Sequence, residues 1–243
     1  MDRRLAYMIL HTGKPYFRAA IEAMCPQVDT ILILYSAKPS QGYTTDLVPP
    51  DTRDELRQLC PEAVWIEGEW RNEVEHTEAV KTYVGGYDWL IRFDSDEIFP
   101  PGIVDEMISQ ANETKFKRYR IPFVHFWRSF SRVCRDSSHP IRLERVGTAD
   151  NSQTPTLDSK GGKYVVYHGG YAQPTKYIKY KMETSGHKTE WRPNWFKDRW
   201  LANAQEDVHP VMFPTHWHTE DFDKNLLPEV LKNHPYFDME VIE

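Results

Sequence analysis

The first half of the chain alternates short, continuous apolar runs with segments whose apolar residues recur at helical spacing. The apolar runs predict buried strands over residues 4–11, 30–35, 63–66 and 87–93. Continuous runs of this length are typical of a sheet interior. The segments between them predict helices, of which the first ends at Cys25-Pro26. This alternation of strand and helix predicts an α/β fold with a mostly parallel central sheet flanked by helices.

The second half has a different pattern, in which short alternating segments are followed by an irregular tail. Its predicted elements are strands over residues 116–133, 141–146 and 164–168 and a helix that starts at Pro174. The tail is rich in Trp, Pro and His. The sequence therefore predicts a main unit over residues 1–185 and an irregular C-terminal extension, residues 186–243, that packs on it.

Three acidic residues follow the fourth predicted strand in the stretch Asp94-Ser95-Asp96-Glu97. Side chains alternate along a strand, so Asp94 and Asp96 are expected on the same face. Two such carboxylates repel each other unless a cation lies between them, and Mn²⁺ or Mg²⁺ is held by this kind of oxygen set. The alternative is a turn that caps the helix after Pro101. His11 and the acidic residues both follow predicted parallel strands, and ligands bind at the carboxyl ends of such strands. The expected position of Asp94 and Asp96 beside His11 therefore favours the metal site.

Basic side chains are concentrated between residues 115 and 145 of a chain whose net charge is −6. A basic segment in an acidic protein indicates a surface that faces an anion. One interpretation is a nucleic-acid-binding surface on which Phe123, Trp127 and Phe130 stack. The other is a basic face that pairs with the protein's own acidic residues.

Cysteine usage and hydropathy indicate the cellular compartment. The 3 cysteines are an odd number without a CxxC pair, which predicts reduced thiols and no zinc site. The apolar run over residues 5–10 is too short for a signal peptide, and no run reaches transmembrane length. We therefore expect a soluble, cytoplasmic protein.

Several motifs occur in an order typical of one enzyme family. They are Arg71-Asn72-Glu73, the stretch from Tyr87 to Glu97, the strand Arg142-Leu143-Glu144-Arg145, and Tyr167-His168-Gly169-Gly170-Tyr171 followed by Lys181. In this order they resemble the family-2-type glycosyltransferases, which have the GT-A fold and a DxD motif. The resemblance covers residues 4–185 and implies a Rossmann-like domain there that binds a nucleotide sugar and carries out catalysis. It makes residues 186–243 a candidate acceptor side.

The resemblance implies a nucleoside-diphosphate-sugar donor, a UDP-sugar, whose diphosphate is bridged by Mn²⁺ or Mg²⁺. The implied roles are Asp96 and His168 as metal ligands, Asp94 as a metal ligand or ribose contact, Lys181 and Arg71 at the diphosphate, and His11 and Thr12 beside the nucleobase. The departure of a nucleoside diphosphate is the difficult step, and a metal with a lysine stabilises the developing charge. Asp158 is the preferred general base for the acceptor hydroxyl and Glu144 its rival, whereas a retaining enzyme needs neither.

The acceptor and two further questions stay open at the level of sequence. A glycan, a lipid-linked acceptor and modified nucleic acid all fit, and the last would join the transferase and nucleic-acid interpretations. A nucleotidyltransferase or a metal-dependent phosphohydrolase is the alternative enzyme class, although the sequence has no evident Gly-rich loop with Lys. His216 and His218, with Glu220 and Asp221, form either a separate metal site or part of a structural or acceptor-facing rim.

Overall fold

The structure is a computed structural model that describes residues 2–40, 43–135, 139–150, 152–211 and 217–241. Its strands are β1 Arg4–Leu10, β2 Thr30–Tyr35, β3 Val64–Glu67, β4 Trp89–Arg92, β5 Glu97–Ile98, β6 Arg118–Arg120, β7 Phe123–Trp127, β8 Ser129–Arg135, β9 Ile141–Arg145, β10 Val166–Tyr171 and β11 Thr219–Asp221. Its α-helices are α1 Lys14–Met24, α2 Arg53–Leu59, α3 Glu73–Glu78, α4 Ile103–Thr114, α5 Thr175–Thr184 and α6 Glu229–Lys232. None of the helices in these ranges is long and apolar enough to cross a membrane. These elements confirm the predicted α/β class.

Six strands form the first sheet in the order β3-β2-β1-β4-β9-β6. The four strands of the predicted strand–helix series, β1 to β4, run parallel to one another in the sheet. By contrast, β9 is antiparallel to both β4 and β6. The sheet is therefore mixed. β1 and β2 are buried along almost their whole length, which explains their continuous apolar sequences. The parallel strands bring the segments after Leu10, Tyr35 and Arg92 to one edge of the sheet.

Five strands form a second sheet in the order β11-β8-β7-β10-β5, an assembly that the sequence pattern does not predict. β10 is parallel to β7 and antiparallel to β5. The register of these three strands places Glu97 of β5, His168 of β10 and His125 of β7 side by side. Residues paired across neighbouring strands project from the same face, so these three side chains form a row across the sheet.

β10 extends beyond the strand predicted over residues 164–168. It continues past His168 through two glycines, and its register against β7 is irregular there. The backbone N–H of Gly169 donates to the carbonyl of Asp96 at 2.7 Å, and a Cβ at Gly169 would lie 2.5 Å from the ring of Tyr16. Gly169 therefore allows close packing within the strand and does not end it, which corrects the prediction.

Residues after 185 pack against the second sheet and the main core. Trp195, Trp200 and Trp217 are buried together with aromatic residues of β7 and β10. Leu231 of α6 is buried in the main core. The C-terminal extension thus shares its hydrophobic contacts with the rest of the chain, and the domain boundary at residue 185 stays a prediction.

Candidate functional site

A cavity of about 180 Å³ opens at the carboxyl ends of β1 and β4. Its walls come from the segments that follow β1, β2 and β4, and from β10 and α5. Six residues to which the sequence analysis assigns a role line it: His11, Thr12, Asp94, Asp96, His168 and Lys181. Further lining residues include Gly13, Ser40, His76, Ser95, Gln173, Tyr177 and Tyr180. The topology of the two sheets thus brings together residues that are far apart in the sequence.

The two aspartates reach the cavity from a turn. β4 ends at Arg92, and the backbone N–H of Glu97 donates to the carbonyl of Asp94 at 3.1 Å, which closes a four-residue turn. The expectation that Asp94 and Asp96 share a face through strand alternation is therefore wrong, although both line the cavity. The alternative is confirmed as to the turn but is wrong as to the cap, because the N-cap residue of α4 is Gly102.

Asp94 is held by two arginines. Arg142 donates from Nη2 to Asp94 Oδ2 at 2.9 Å, and Arg92 Nε lies 3.6 Å from Asp94 Oδ1. Burial acts to raise the pKa of Asp94, but Arg92 and Arg142 outweigh it and hold that pKa below its usual value. Asp94 Oδ1 is buried and has no hydrogen-bond partner within the described ranges. Asp94 is therefore ionised at neutral pH, and its Oδ1 lies in an ion pair with Arg92 without a hydrogen bond.

The buried pair of Arg142 and Glu97 underlies this turn, and the sequence analysis assigns a role to neither residue. Arg142 donates from Nε to Glu97 Oε2 at 2.8 Å and from Nη2 to Glu97 Oε1. Glu97 is 1% exposed, and burial raises its pKa to about 7 against the opposing charge of Arg142. Because Arg142 bridges Glu97 and Asp94, it ties the turn to β9.

Asp96 and His168 face each other across the cavity wall. His168 Nε2 lies 3.6 Å from Asp96 Oδ2, and Gln173 donates to the same oxygen from Nε2 at 3.0 Å. Burial raises the pKa of Asp96, although Lys181 opposes this shift. Burial and the charge of Lys181 lower the pKa of His168 to about 3. The imidazole is therefore neutral and has a lone pair to offer.

Lys181 supplies positive charge at the same point. Its Nζ lies 3.9 Å from Asp96 Oδ2 and 4.9 Å from the centre of the Tyr171 ring. Burial acts to lower the pKa of Lys181, but Tyr171, Asp96 and Asp94 outweigh it and raise the pKa. Lys181 is therefore charged at neutral pH and is positioned to meet an anionic group.

The donor atoms at this wall fit a divalent cation. The 3.6 Å between Asp96 Oδ2 and His168 Nε2 is too long for a hydrogen bond and near the roughly 3 Å that separates neighbouring ligand atoms around Mg²⁺. Asp94 Oδ1 adds a buried oxygen without a hydrogen bond in the described structure. Within the described residues no three His, Cys, Asp or Glu side chains already form a metal-binding group. A cation would therefore have to draw these donors together.

Two glycines leave the space that these side chains occupy. A Cβ at Gly170 would lie 2.5 Å from His168 Nε2 and 3.0 Å from Lys181 Nζ. A Cβ at Gly13, whose φ is +152°, would lie 1.9 Å from Ser95 Oγ. Any larger residue at either position would push a lining side chain out of place.

Two histidines with satisfied ring nitrogens also line the cavity. His11 contacts the carbonyl of Ser36 through Nδ1 at 2.8 Å and the hydroxyl of Tyr180 through Nε2 at 2.7 Å. Burial lowers the pKa of His11, so Nδ1–H donates to the carbonyl and Nε2 accepts from the tyrosine. His76, which the sequence analysis does not single out, contacts Ser40 Oγ through Nδ1 at 2.6 Å. These residues present ring faces and hydroxyl groups without net charge to the cavity.

The protonation of His76 predicts a pH-dependent stability. Its Nε2–H donates to the carbonyl of Leu34 at 2.8 Å, and burial lowers its pKa to about 4. In the unfolded chain the pKa of histidine is about 6.5. Acidification from pH 6.5 to 4 therefore protonates the unfolded chain first, and the free energy of unfolding should fall by up to about 3 kcal/mol through this residue. Urea unfolding at pH 7 and pH 5 measures it.

Two variants isolate the contribution of His76. His76→Gln should lose less stability on acidification than the wild type, since it has no imidazole to protonate. His187→Gln, which changes an exposed histidine, should retain the wild-type pH dependence. An identical pH dependence in wild type and His76→Gln would contradict the prediction.

Three residues assigned by the sequence analysis are not part of the cavity lining. Arg71 is exposed and donates from Nε to Glu75 at 2.7 Å. Asp158 is exposed beside α4, and Glu144 lies on β9 with Lys117 Nζ at 3.7 Å. Their roles stay predictions. His216 of the proposed second histidine cluster lies outside the described residues.

The basic segment over residues 115–145 does not form an open stacking surface. Its aromatic side chains Phe123, Trp127 and Phe130 are buried. Four of its described basic side chains form ion pairs within the protein: Lys117 with Glu144, Arg118 with Asp150, Arg128 with Glu240 and Arg142 with Glu97. Pairing with the protein's own acids therefore accounts for part of this segment, and binding of a nucleic acid by the rest stays a prediction.

Comparisons with known proteins give only distant similarities. No protein-family model matches the sequence, and no curated protein matches it. Glucosyl-3-phosphoglycerate synthase from Mycobacterium tuberculosis, solved with Mn²⁺, UDP and phosphoglyceric acid, is 15% identical over 52% of this chain and 44% of its own, with a TM-score of 0.37. S. aureus TarS is 8% identical over 51% of this chain and 36% of its own, with a TM-score of 0.36. This chain thus spans less than half the length of either structure.

A third structure matches a larger share of its own chain. The 4-diphosphocytidyl-2C-methyl-D-erythritol synthase from Anaerococcus prevotii is 8% identical over 64% of this chain and 86% of its own, with a TM-score of 0.38. Identities and TM-scores at this level do not assign the chain to a family.

Proposed function

We propose that the protein is a metal-dependent glycosyltransferase that moves a sugar from a nucleoside-diphosphate sugar to a hydroxyl acceptor. The observation that carries the proposal is the meeting of a carboxylate, a neutral imidazole and an ammonium group at one wall of the cavity. His168 Nε2 and Lys181 Nζ lie 3.6 and 3.9 Å from Asp96 Oδ2. A diphosphate with its divalent cation offers the complementary charges.

In this proposal Asp96 and His168 hold Mn²⁺ or Mg²⁺, and Asp94 offers Oδ1 either to the cation or to the ribose. The bound cation neutralises the diphosphate and stabilises the charge on the departing nucleoside diphosphate. Arg142 keeps Asp94 ionised and fixes the turn on which both aspartates lie. Gln173 orients Asp96 by its hydrogen bond to Oδ2.

Lys181 contacts the diphosphate in this proposal. Its ammonium group already lies beside Asp96, and its side chain is 36% exposed, so it can turn toward an anion in the cavity. A positive charge at this point stabilises the leaving group more strongly as the glycosidic bond breaks. Arg71 is exposed and forms an ion pair with Glu75. Its predicted contact with the diphosphate would require the side chain to leave that pair.

The uncharged groups of the cavity lining suit the nucleobase of a UDP-sugar. His11 has both ring nitrogens engaged, so it offers the base a ring face rather than a hydrogen bond. Thr12 adds a hydroxyl and backbone groups at the end of β1. Ser40 and His76 also line the cavity.

The position of the carboxylates bears on the stereochemistry. Among the described residues, those that line the cavity with a carboxylate are Asp94 and Asp96, both assigned to the donor side. Asp158 and Glu144 lie elsewhere. A reaction that retains the anomeric configuration needs no enzymic base, and we include retention in the proposal.

A screen of donors tests the proposed function. Thermal unfolding is measured with UDP-, GDP- and TDP-sugars and with nucleoside triphosphates, each with and without Mn²⁺. A nucleotide sugar should stabilise the protein only when Mn²⁺ is present, by about 2.7 kcal/mol at a concentration near 100 Kd. Release of the nucleoside diphosphate is then assayed with glycan and lipid-linked acceptors. Stabilisation by nucleoside triphosphates but by no nucleotide sugar would instead identify a nucleotidyltransferase.

A further inference from the structure

A second buried histidine contacts His168 from the side away from the cavity. His125 is paired with His168 in the register of β7 and β10, and their Nδ1 atoms are 2.7 Å apart. His125 is 7% exposed, and its Nε2 has no hydrogen-bond partner in the described part of the chain. His125 does not line the cavity. It can therefore act on a ligand there only through His168.

The contact between the two imidazoles decides where the protons of His168 lie. Of two ring nitrogens 2.7 Å apart, one donates and the other accepts. If His168 donates from Nδ1, its Nε2 has a free lone pair that faces Asp96. If His125 donates, the proton of the neutral His168 lies on Nε2 and blocks that lone pair. The direction of this hydrogen bond thus determines whether His168 can bind a cation.

We infer that His125 is a positioning residue that accepts the Nδ1 proton of His168 and thereby keeps His168 Nε2 available to a divalent cation. The inference rests on the proposed metal site at Asp96 and His168. Metal-binding histidines donate their second ring N–H to a fixed acceptor, and loss of that acceptor costs about 10–100-fold in metal affinity.

The surroundings of His125 suit this role. Its ring is stacked on Trp217, with 4.5 Å between ring centres and 30° between planes. No described group forms a hydrogen bond with His125 Nε2, so no second hydrogen bond holds His125 in the opposite tautomer. It adopts the tautomer that His168 requires.

The row of strand residues gives the pair its rigidity. His168 is the cross-strand partner of Glu97 on one side and of His125 on the other. Glu97 is held by Arg142, and His125 is held by the stack on Trp217. The His168 ring is therefore fixed in position and orientation before a cation binds.

Three variants of the full chain separate acceptor loss from a packing effect. His125→Leu removes the acceptor. His125→Asn restores an acceptor near Nδ1, whereas the matched His125→Gln places its amide near Nε2. Mn²⁺ affinity is measured without donor, by the electron paramagnetic resonance signal of free Mn²⁺. We expect Kd to rise 10–100-fold in the Leu and Gln variants and to stay near the wild-type value in the Asn variant. If His125→Leu does not fold, the Asn and Gln pair decides.

A second measurement does not depend on substitution. Long-range ¹H–¹⁵N spectra of the wild type with saturating Mg²⁺ should show the His168 proton on Nδ1, assigned by its loss in His168→Asn. Equal Mn²⁺ affinity in wild type and all variants would overturn the inference and leave the metal site standing. A proton on His168 Nε2 at saturating Mg²⁺ would overturn the inference and also exclude His168 as a metal ligand. A wild type that does not bind Mn²⁺ would overturn both the metal site and the inference.

Discussion

Replacement of Asp96 by asparagine is expected to reduce sugar transfer about 10³-fold. The variant keeps the size of the side chain and an acceptor for Gln173, but it removes the negative charge that faces His168 and Lys181. The proposed cation then loses its anionic ligand, and stabilisation of the leaving group falls by about 4 kcal/mol. The measurement is the rate of nucleoside-diphosphate release at saturating donor, over a range of Mn²⁺ concentrations.

The control for this prediction is Asp105→Asn, which changes an exposed carboxylate on α4. We expect it to retain wild-type activity and Mn²⁺ dependence. Asp96→Asn should keep its thermal stability, because burial raises the pKa of Asp96 and a neutral side chain suits that environment. A wild-type rate in Asp96→Asn would rule out the proposed metal site.

Replacement of Arg142 by methionine is expected to have the largest effect on stability. Arg142 is the bidentate partner of the buried Glu97 and also donates to Asp94. Its removal leaves the buried Glu97 without its counter-charge and leaves Asp94 with Arg92 as its remaining arginine, and loss of one partner of a buried ion pair costs about 3–5 kcal/mol. The free energy of unfolding in urea at pH 7 measures this loss.

Two further variants separate the charge of Arg142 from its packing. The double variant Arg142→Met with Glu97→Gln should regain part of the lost stability, because it removes the uncompensated charge of Glu97. Arg118→Met breaks a more exposed pair with Asp150 and should cost less than about 1 kcal/mol. If Arg142→Met were as stable as Arg118→Met, the buried pair would not be a major source of stability.

Local sequence patterns predict the parallel part of the first sheet because each of its strands is encoded by its own apolar run. The order of strands and helices then brings the ends of β1 and β4 to one edge. The same reasoning locates Asp94 and Asp96 at the cavity. It fails for the local geometry, since two acidic residues directly after a strand look alike whether the strand continues or a turn begins.

The second sheet lies beyond such reasoning. His125 and His168 are 43 residues apart, and their contact depends on the register of β7 against β10. No local pattern reports the register of distant parallel strands. Arg142 alternates with apolar residues on β9 as a solvent-facing residue would. Only its place beside the turn after β4 shows that it is a buried partner of Glu97.

The pair of Arg142 and Glu97 joins two sheets whose hydrogen-bonded ladders are otherwise separate. Asp96 lies on the turn that crosses from one sheet to the other, whereas His168 belongs to the second sheet alone. Gly169 of the second sheet donates to the Asp96 carbonyl and keeps Asp96 beside His168. A slight rotation between the sheets would therefore change the distance from Asp94 to His168 without breaking a strand pairing. A bound cation would link the two sheets, and its affinity would depend on their relative orientation. Substitutions in the distant core between the sheets would then tune ligand affinity while every residue of the cavity stays the same.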